Sequence, residues 1–129
     1  MLVQLHRQLR RETVALGVTL GQVSILAAIR DQPDIGVAEL ASREVMSVPS
    51  ICAHVDKLEA SGLVTRNREV STDRRRVGLV ITTEGRRVLR TVRSRRTAWL
   101  ASRLSTLEPE QRAAIELALD GLGALVERA

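Results

Sequence analysis

Aromatic side chains are almost missing from the sequence, whose 129 residues include one Trp and neither Tyr nor Phe. Because 44% of the residues are still hydrophobic, Leu, Val, Ile and Ala must build the core, and this favours packed helices. The length fits a single domain. The charged fraction of 27% is ordinary for a soluble globular chain.

Cysteine and histidine are nearly absent as well. The single cysteine, Cys52, excludes an intrachain disulfide. The two histidines, His6 and His54, are too few to form a metal site with Cys52, and His6 is distant from it along the chain. Cys52 itself is either a redox switch or a small buried thiol. We expect no metal and no cofactor.

Long apolar runs are missing too. Polar residues such as Gln4, Arg7 and Glu12 interrupt the first twenty positions, so no signal peptide is visible. No apolar run approaches the roughly 18 residues that a membrane span needs. We therefore expect a cytoplasmic protein with no membrane partner.

No catalytic arrangement is visible either. The sequence has no Ser, His and acid in a triad pattern, no glycine-rich phosphate loop and no paired-carboxylate cleft. Trp99 could line a ligand pocket or simply pack. We expect that the protein is not an enzyme.

Positive charge is present, and it is concentrated in the middle of the chain. The formal net charge is +5, with residues 1–44 neutral, residues 45–106 at +8 and residues 107–129 at −3. Only Lys57 is a lysine, and the other 19 cations are arginines. A GC-rich genome would explain the preference for arginine but not its location, which indicates a nucleic-acid surface.

Hydrophobic periodicity and caps predict mainly helices with one β-hairpin. The predicted helices span residues 2–16, 20–31, 37–44, 48–61, 83–104 and 110–128, and the predicted hairpin strands span 63–68 and 77–82. A short extended piece is expected at 35–36. Capping residues are expected at Thr19, Ser47 and Thr83, with Gly62 ending the fourth helix. Two helices joined by a tight turn and followed by a hairpin form a winged helix-turn-helix.

The helix at 48–61 has two unlike faces. The inward stripe is expected to contain Val48, Ile51, Val55 and Leu58. The opposite face is small and polar, with no acidic residue, and consists of Ser50, Ala53, His54, Lys57 and Ser61. Such a face suits a helix that enters the major groove, although an ordinary solvated face would look similar.

The predicted hairpin loop, residues 69–76, contains Asp73, Arg74, Arg75 and Arg76. Adjacent arginines at a hairpin tip can enter a minor groove and contact phosphates. Asp73 would hold an arginine by paired hydrogen bonds. The alternative is a solvated charged turn.

Three runs together resemble the MarR family of transcriptional regulators. They are Val37-Ala38-Glu39-Leu40-Ala41, Leu58-Glu59-Ala60-Ser61-Gly62-Leu63-Val64-Thr65-Arg66, and Asp73-Arg74-Arg75-Arg76-Val77-Gly78-Leu79-Val80-Ile81-Thr82-Thr83-Glu84-Gly85. The resemblance is strong over about residues 20–89. It implies one MarR-like domain over residues 1–129, with residues 20–89 binding DNA and residues 1–16 and 90–129 forming a dimer.

The resemblance also implies roles for individual residues. Ser47, Ser50, His54 and Lys57 would face the major groove of double-stranded DNA. In the wing, Arg75 would enter the minor groove, Asp73 would orient the loop, and Arg74 and Arg76 would support phosphate contacts or the Asp73 pair. The family also implies an effector such as a small aromatic acid or a lipophilic compound, for which Arg10, Arg11 or Arg96 could pair with a carboxylate.

The terminal helices independently indicate a homodimer, because so small a winged core cannot bury all of their leucines. These are Leu2, Leu5 and Leu9, and Leu117, Leu122 and Leu125. A monomer with a packed helical appendage is the alternative.

The leading hypothesis is a ligand-responsive repressor that binds a pseudo-palindromic promoter site as a homodimer. A non-specific architectural DNA-binding protein would share the charge but show no operator preference. A protein-interaction module would not bind DNA at all.

Overall fold

The part of the chain that the computed structural model describes, residues 1–68 and 77–127, is mainly helical. Its helices are α1 (Leu2–Val14), α2 (Leu20–Asp31), α3 (Val37–Arg43), α4 (Val48–Ala60), α5 (Thr83–Leu104) and α6 (Pro109–Glu127). Its strands are β1 (Ile35–Gly36), β2 (Val64–Asn67) and β3 (Gly78–Ile81). The predicted class, mainly α with a small β-hairpin, is therefore confirmed.

A three-stranded antiparallel sheet forms the stem of the wing. The strand order is β1-β3-β2, with Thr65 opposite Val80 and Asn67 opposite Gly78. The short β1, expected only as an extended piece, pairs with β3 and places Ile35 opposite Leu79. The side chains of Ile35 and Leu79 are both almost fully buried. The burial of these side chains and the backbone pairing of β1 with β3 therefore require the same strand register.

The core is built by aliphatic side chains, as the composition predicts, and α2, α3, α4, α5 and the three strands all contribute to it. Its largest fully buried members are Ile25, Leu26, Ile29, Ile35, Leu40, Ile51, Leu58 and Leu79. Gly85 allows the start of α5 to approach this core closely. A Cβ at this position would meet the carbonyl oxygen of Leu63 and lie 2.7 Å from Cγ1 of Ile81.

The predicted caps are confirmed at two helix starts and wrong at a third. Thr19 and Gln22 form a reciprocal capping box, and Ser47 accepts a hydrogen bond from the amide of Ser50. The cap of α5 is Thr82 and not Thr83. The Oγ1 of Thr82 accepts from the amide of Gly85 at 3.0 Å, because a capping side chain reaches the amide three residues later.

The chain divides into two compact units, Met1–Arg96 and Thr97–Ala129. In the second unit, every described residue of α6 is exposed. Trp99 in the same unit is partly buried, and the guanidinium of Arg103 lies 5.8 Å from the centre of its ring. This contact favours a packing role for Trp99.

None of the helices in the described part of the chain has the length and apolar content that crossing a membrane requires.

Candidate nucleic-acid interface

Helix α4 is anchored by one buried stripe and projects at its start. Ile51 and Val55 have no exposed surface, and Leu58 is 1% exposed. Val48, expected in this stripe, is instead 46% exposed, and the rest of the first turn is exposed as well. The stripe therefore begins at Ile51, because the first turn of α4 extends beyond the core.

The structure brings the four predicted residues of α4 to its exposed start and outward face. Ser47, Ser50 and Lys57 are exposed, whereas His54 is partly buried. The spacing of Ser50, His54 and Lys57 places them on one side of a helix. Their contact with DNA stays a prediction.

The hydroxyl groups of Ser47 and Ser50 are linked. The Oγ of Ser47 accepts from the amide of Ser50 at 3.3 Å and donates to the Oγ of Ser50 at 2.8 Å. Ser47 thus serves first as the cap of α4, whereas Ser50 keeps its own hydroxyl proton for an outside acceptor.

The imidazole of His54 is held with one nitrogen inside the protein. Among the described residues, its Nδ1 is a buried side-chain polar atom with no hydrogen-bond partner. Because the residue as a whole is partly exposed, its accessible surface belongs to atoms other than Nδ1.

An ion-pair cluster, which the sequence analysis did not predict, joins α4 to the wing stem. Arg66 on β2 donates to Oδ1 of Asp56 at 2.6 Å and to Oε2 of Glu59. The hydrogen bond that Arg66 donates to Asp56 and the charge of Glu59 raise the pKa of Arg66, although partial burial opposes them. The cluster holds both carboxylates of α4. Glu59 and Arg66 both lie in the run that resembles the MarR family, and this is the one sequence signal that could have drawn attention to them.

The predicted wing residues Asp73, Arg74, Arg75 and Arg76 lie outside the described residues. The stem below them is packed against the turn before β1. Asn67 donates from Nδ2 to Oδ1 of Asp34 at 3.3 Å, and a Cβ at Gly78 would lie 3.0 Å from the backbone of Asp34. The role of the wing arginines stays a prediction.

Much of the positive charge in the middle of the chain belongs to α5. Six arginines lie on this helix within the first unit, at positions 86, 87, 90, 93, 95 and 96. Arg87 donates to Glu84 at 2.9 and 2.5 Å, and this hydrogen bond lowers the pKa of Glu84. The charge of residues 45–106 is therefore not a measure of the α4 surface alone.

The candidate effector residues lie at two places in the first unit. Arg7, Arg10, Arg11 and Val14 line an open groove of about 430 Å³ on α1. Arg96 instead donates from Nη2 and Nε to Oγ1 of the fully buried Thr13, at 2.8 and 3.2 Å. The guanidinium of Arg96 thus joins α5 to α1.

Cys52 is partly exposed rather than fully buried. In the described part of the chain, no three side chains among His, Cys, Asp and Glu are grouped so that they could hold a metal ion.

Comparison with known proteins agrees with this arrangement. The model of the MarR family matches residues 18–77. A helix-turn-helix transcriptional regulator of Mycobacterium bovis is 31% identical over 125 residues, which cover 97% of this chain and 87% of the relative. The transcriptional repressor MdtR of Bacillus subtilis is 32% identical over 95 residues, which cover 74% of this chain and 61% of the repressor.

Among solved structures, a mutant of MepR from S. aureus bound to an oligodeoxyribonucleotide superposes with a TM-score of 0.75. The two chains are 18% identical, and the match covers 95% of this chain and 90% of the other. The likeness confirms the predicted winged helix-turn-helix fold.

Proposed function

The chain belongs to the MarR family of DNA-binding transcriptional regulators, and on this premise we propose that it is a homodimeric, ligand-responsive repressor of a pseudo-palindromic promoter site. Members of this family are transcriptional regulators and not enzymes, and double-stranded DNA is their partner. Within the proposal, residues 20–89 bind DNA, and residues 1–16 and 90–129 form the dimer.

The observation that carries this proposal is the form of α4. Its first turn projects beyond the core, and its outward side presents Ser50, His54 and Lys57, with no free carboxylate. A helix of this kind can enter the major groove and donate to base edges. Asp73, Arg74, Arg75 and Arg76 would follow from the β2–β3 stem and add minor-groove and phosphate contacts.

Exposed apolar side chains on the terminal helices support a homodimer. Leu2 and Val3 on α1 are 69% and 70% exposed, and Leu117 and Leu125 on α6 are 85% and 70% exposed. Clusters of exposed apolar residues commonly mark protein interfaces. A two-fold dimer would cover them and would present two copies of α4 to two half-sites.

The repressor assignment draws on a relative, because MdtR of Bacillus subtilis is named as a transcriptional repressor. The proposed effector is a small aromatic acid or a lipophilic compound. The groove beside Arg10 and Arg11 could accept an anionic group. Effector binding would change the separation of the two α4 helices and so lower the affinity for DNA.

The deciding experiment is selection of duplexes from random-sequence DNA by the purified protein near physiological salt. We expect enrichment of an inverted repeat whose half-sites lie about 10 base pairs apart. Binding without enrichment would favour a non-specific architectural protein, which shares the salt dependence but not the sequence preference.

A further inference from the structure

The buried nitrogen of His54 restricts where the imidazole can carry its proton. A neutral imidazole has one N–H donor and one acceptor nitrogen. Nδ1 is buried and has no hydrogen-bond partner among the described residues. A proton on Nδ1 would therefore create a buried donor without an acceptor, and orphaned donors are rarer in proteins than under-satisfied acceptors.

The proton is therefore best placed on Nε2, at the tip of the ring. His54 is partly exposed although Nδ1 is not, so Nε2 is the ring nitrogen that remains for a contact with DNA. His54 then acts toward DNA as a hydrogen-bond donor.

The two neighbours of His54 on this side of α4 are donors as well. The Oγ of Ser50 already accepts a hydrogen bond from Ser47, which leaves its own proton free to point outward. The ammonium group of Lys57 has three donors and no acceptor. Ser50, His54 and Lys57 together are called here the donor face.

The carboxylates of α4 are bound within the protein and are not free to contact DNA. Asp56 and Glu59 are its two carboxylates, and both are bound by Arg66 on β2. Without this cluster, a carboxylate beside Lys57 could accept from the amino group of cytosine. With it, the outward side of α4 offers DNA no free carboxylate, and each residue of the donor face can donate.

From these contacts we propose that the donor face reads guanine, with the Nε2–H of His54 donating to N7. This inference rests on the proposed function. Guanine is the base that presents two acceptors and no amino donor in the major groove, whereas cytosine presents a donor there. The donor face thus selects G·C pairs in which guanine, and not cytosine, lies opposite α4.

The first test measures the tautomer on the full-length protein without DNA. Long-range proton–nitrogen correlation spectra of ¹⁵N-histidine-labelled protein distinguish protonated from bare nitrogens. The His6→Gln variant leaves His54 as the single histidine to observe. We expect a proton on Nε2 and none on Nδ1. A proton on Nδ1, alone or together with one on Nε2, would overturn the inference.

The second test compares two amide replacements of His54 on the tightest duplex from random-sequence selection. The amide nitrogen of Gln reaches the position of Nε2, whereas that of Asn reaches only the position of Nδ1. We expect His54→Gln to retain the preference for guanine and His54→Asn to lose it, with affinity for the selected duplex falling about tenfold. Loss of the preference in both variants, or its retention in both, would contradict the proposal.

The same duplex with 7-deazaguanine in place of the selected guanine provides the matched probe. We expect weaker binding by the wild-type protein and no further loss in His54→Asn. Enriched half-sites without guanine opposite α4 would overturn this inference and leave the proposed function standing. If no sequence is enriched at all, both the proposed function and this inference are wrong. This holds for either result of the tautomer measurement.

Discussion

The guanidinium of Arg66 on β2 donates to the carboxylate of Asp56 on α4 at 2.6 Å, and it binds Glu59 one turn further along the same helix. One strand residue thereby holds the only two acidic side chains of α4. This cluster joins the wing stem to α4, and its loss would place negative charge next to a surface proposed to meet phosphates.

Replacing Arg66 with alanine should weaken DNA binding more than it weakens folding. The loss in stability should not exceed about 1 kcal/mol, because the side chains of Asp56 and Glu59 are 64% and 39% exposed and water screens their attraction to Arg66. The affinity for the selected duplex should fall about three- to tenfold at low salt and less at high salt, as the freed carboxylates repel the DNA.

Fluorescence anisotropy at two salt concentrations, together with urea unfolding, checks this expectation. Arg30→Ala is the matched control, because it also breaks an exposed ion pair, with Asp31 on α2. Equal losses of affinity in the two variants would show that the position of Arg66 beside α4 has no special effect.

Adding one methyl group at Gly85 should destabilise the protein. The Cβ of Gly85→Ala would overlap the carbonyl oxygen of Leu63 and crowd Ile81, so α5 would have to shift away from the sheet. We expect a loss of about 1–3 kcal/mol, which is typical of overpacking.

Gly21→Ala on α2 is the control for Gly85→Ala. Its Cβ would meet only Oγ1 of Thr19, at 3.9 Å, and an alanine within a helix should stabilise the protein by about 0.4–1 kcal/mol. Chemical denaturation measures both variants. Equal stability of Gly85→Ala and the wild-type protein would refute the close approach at the start of α5.

Val45, in the turn between α3 and α4, adopts a conformation that does not suit its side chain. Its φ is +54°, a region in which a β-branched residue is strained, and the side chain is 91% exposed. We expect Val45→Asn to stabilise the protein by about 1 kcal/mol, because Asn tolerates this region and little packing is lost.

Gly62→Ala is the counterpart of Val45→Asn. Gly62 ends α4 with a φ of +74° and has open space around its Cβ position, so alanine there should cost about 1–2 kcal/mol through backbone strain alone. Thermal unfolding should move in opposite directions for the two variants. A lower melting temperature for Val45→Asn would mean that the valine makes a contact worth more than its strain.

Most of the helices and the hairpin could be predicted because they depend on local patterns. The reciprocal cap at Thr19 and the left-handed Gly62 are signals that lie within a few residues of each helix end. The cap of α5 was placed one residue late because Thr82 and Thr83 are chemically equal candidates. Only the geometry at the end of β3 decides which hydroxyl reaches the amide of Gly85.

The site was less predictable because its decisive features depend on tertiary contacts. Helical periodicity placed Ser50, His54 and Lys57 on one side of α4, but it also counted Val48 as buried, since it does not show where the core ends. The binding of Asp56 and Glu59 by Arg66 requires the chain to turn from α4 into β2. The burial of Nδ1 of His54 likewise follows from packing and not from spacing.

The proposed dimer predicts that charge on the exposed leucines of α6 will separate the protomers. Leu117→Glu combined with Leu125→Glu would place two carboxylates in the proposed apolar interface, and burying a charge is strongly unfavourable unless it is paired. We expect sedimentation equilibrium to show a dimer for the wild-type protein and a monomer for the double variant. The helical circular dichroism signal should stay close to that of the wild-type protein. Ala38→Glu adds one such carboxylate at an exposed position on α3, outside the terminal helices, and should remain dimeric. A double variant that stays dimeric would exclude this face of α6 from the interface, and a monomeric wild-type protein would remove the two-fold geometry on which the pseudo-palindromic site depends.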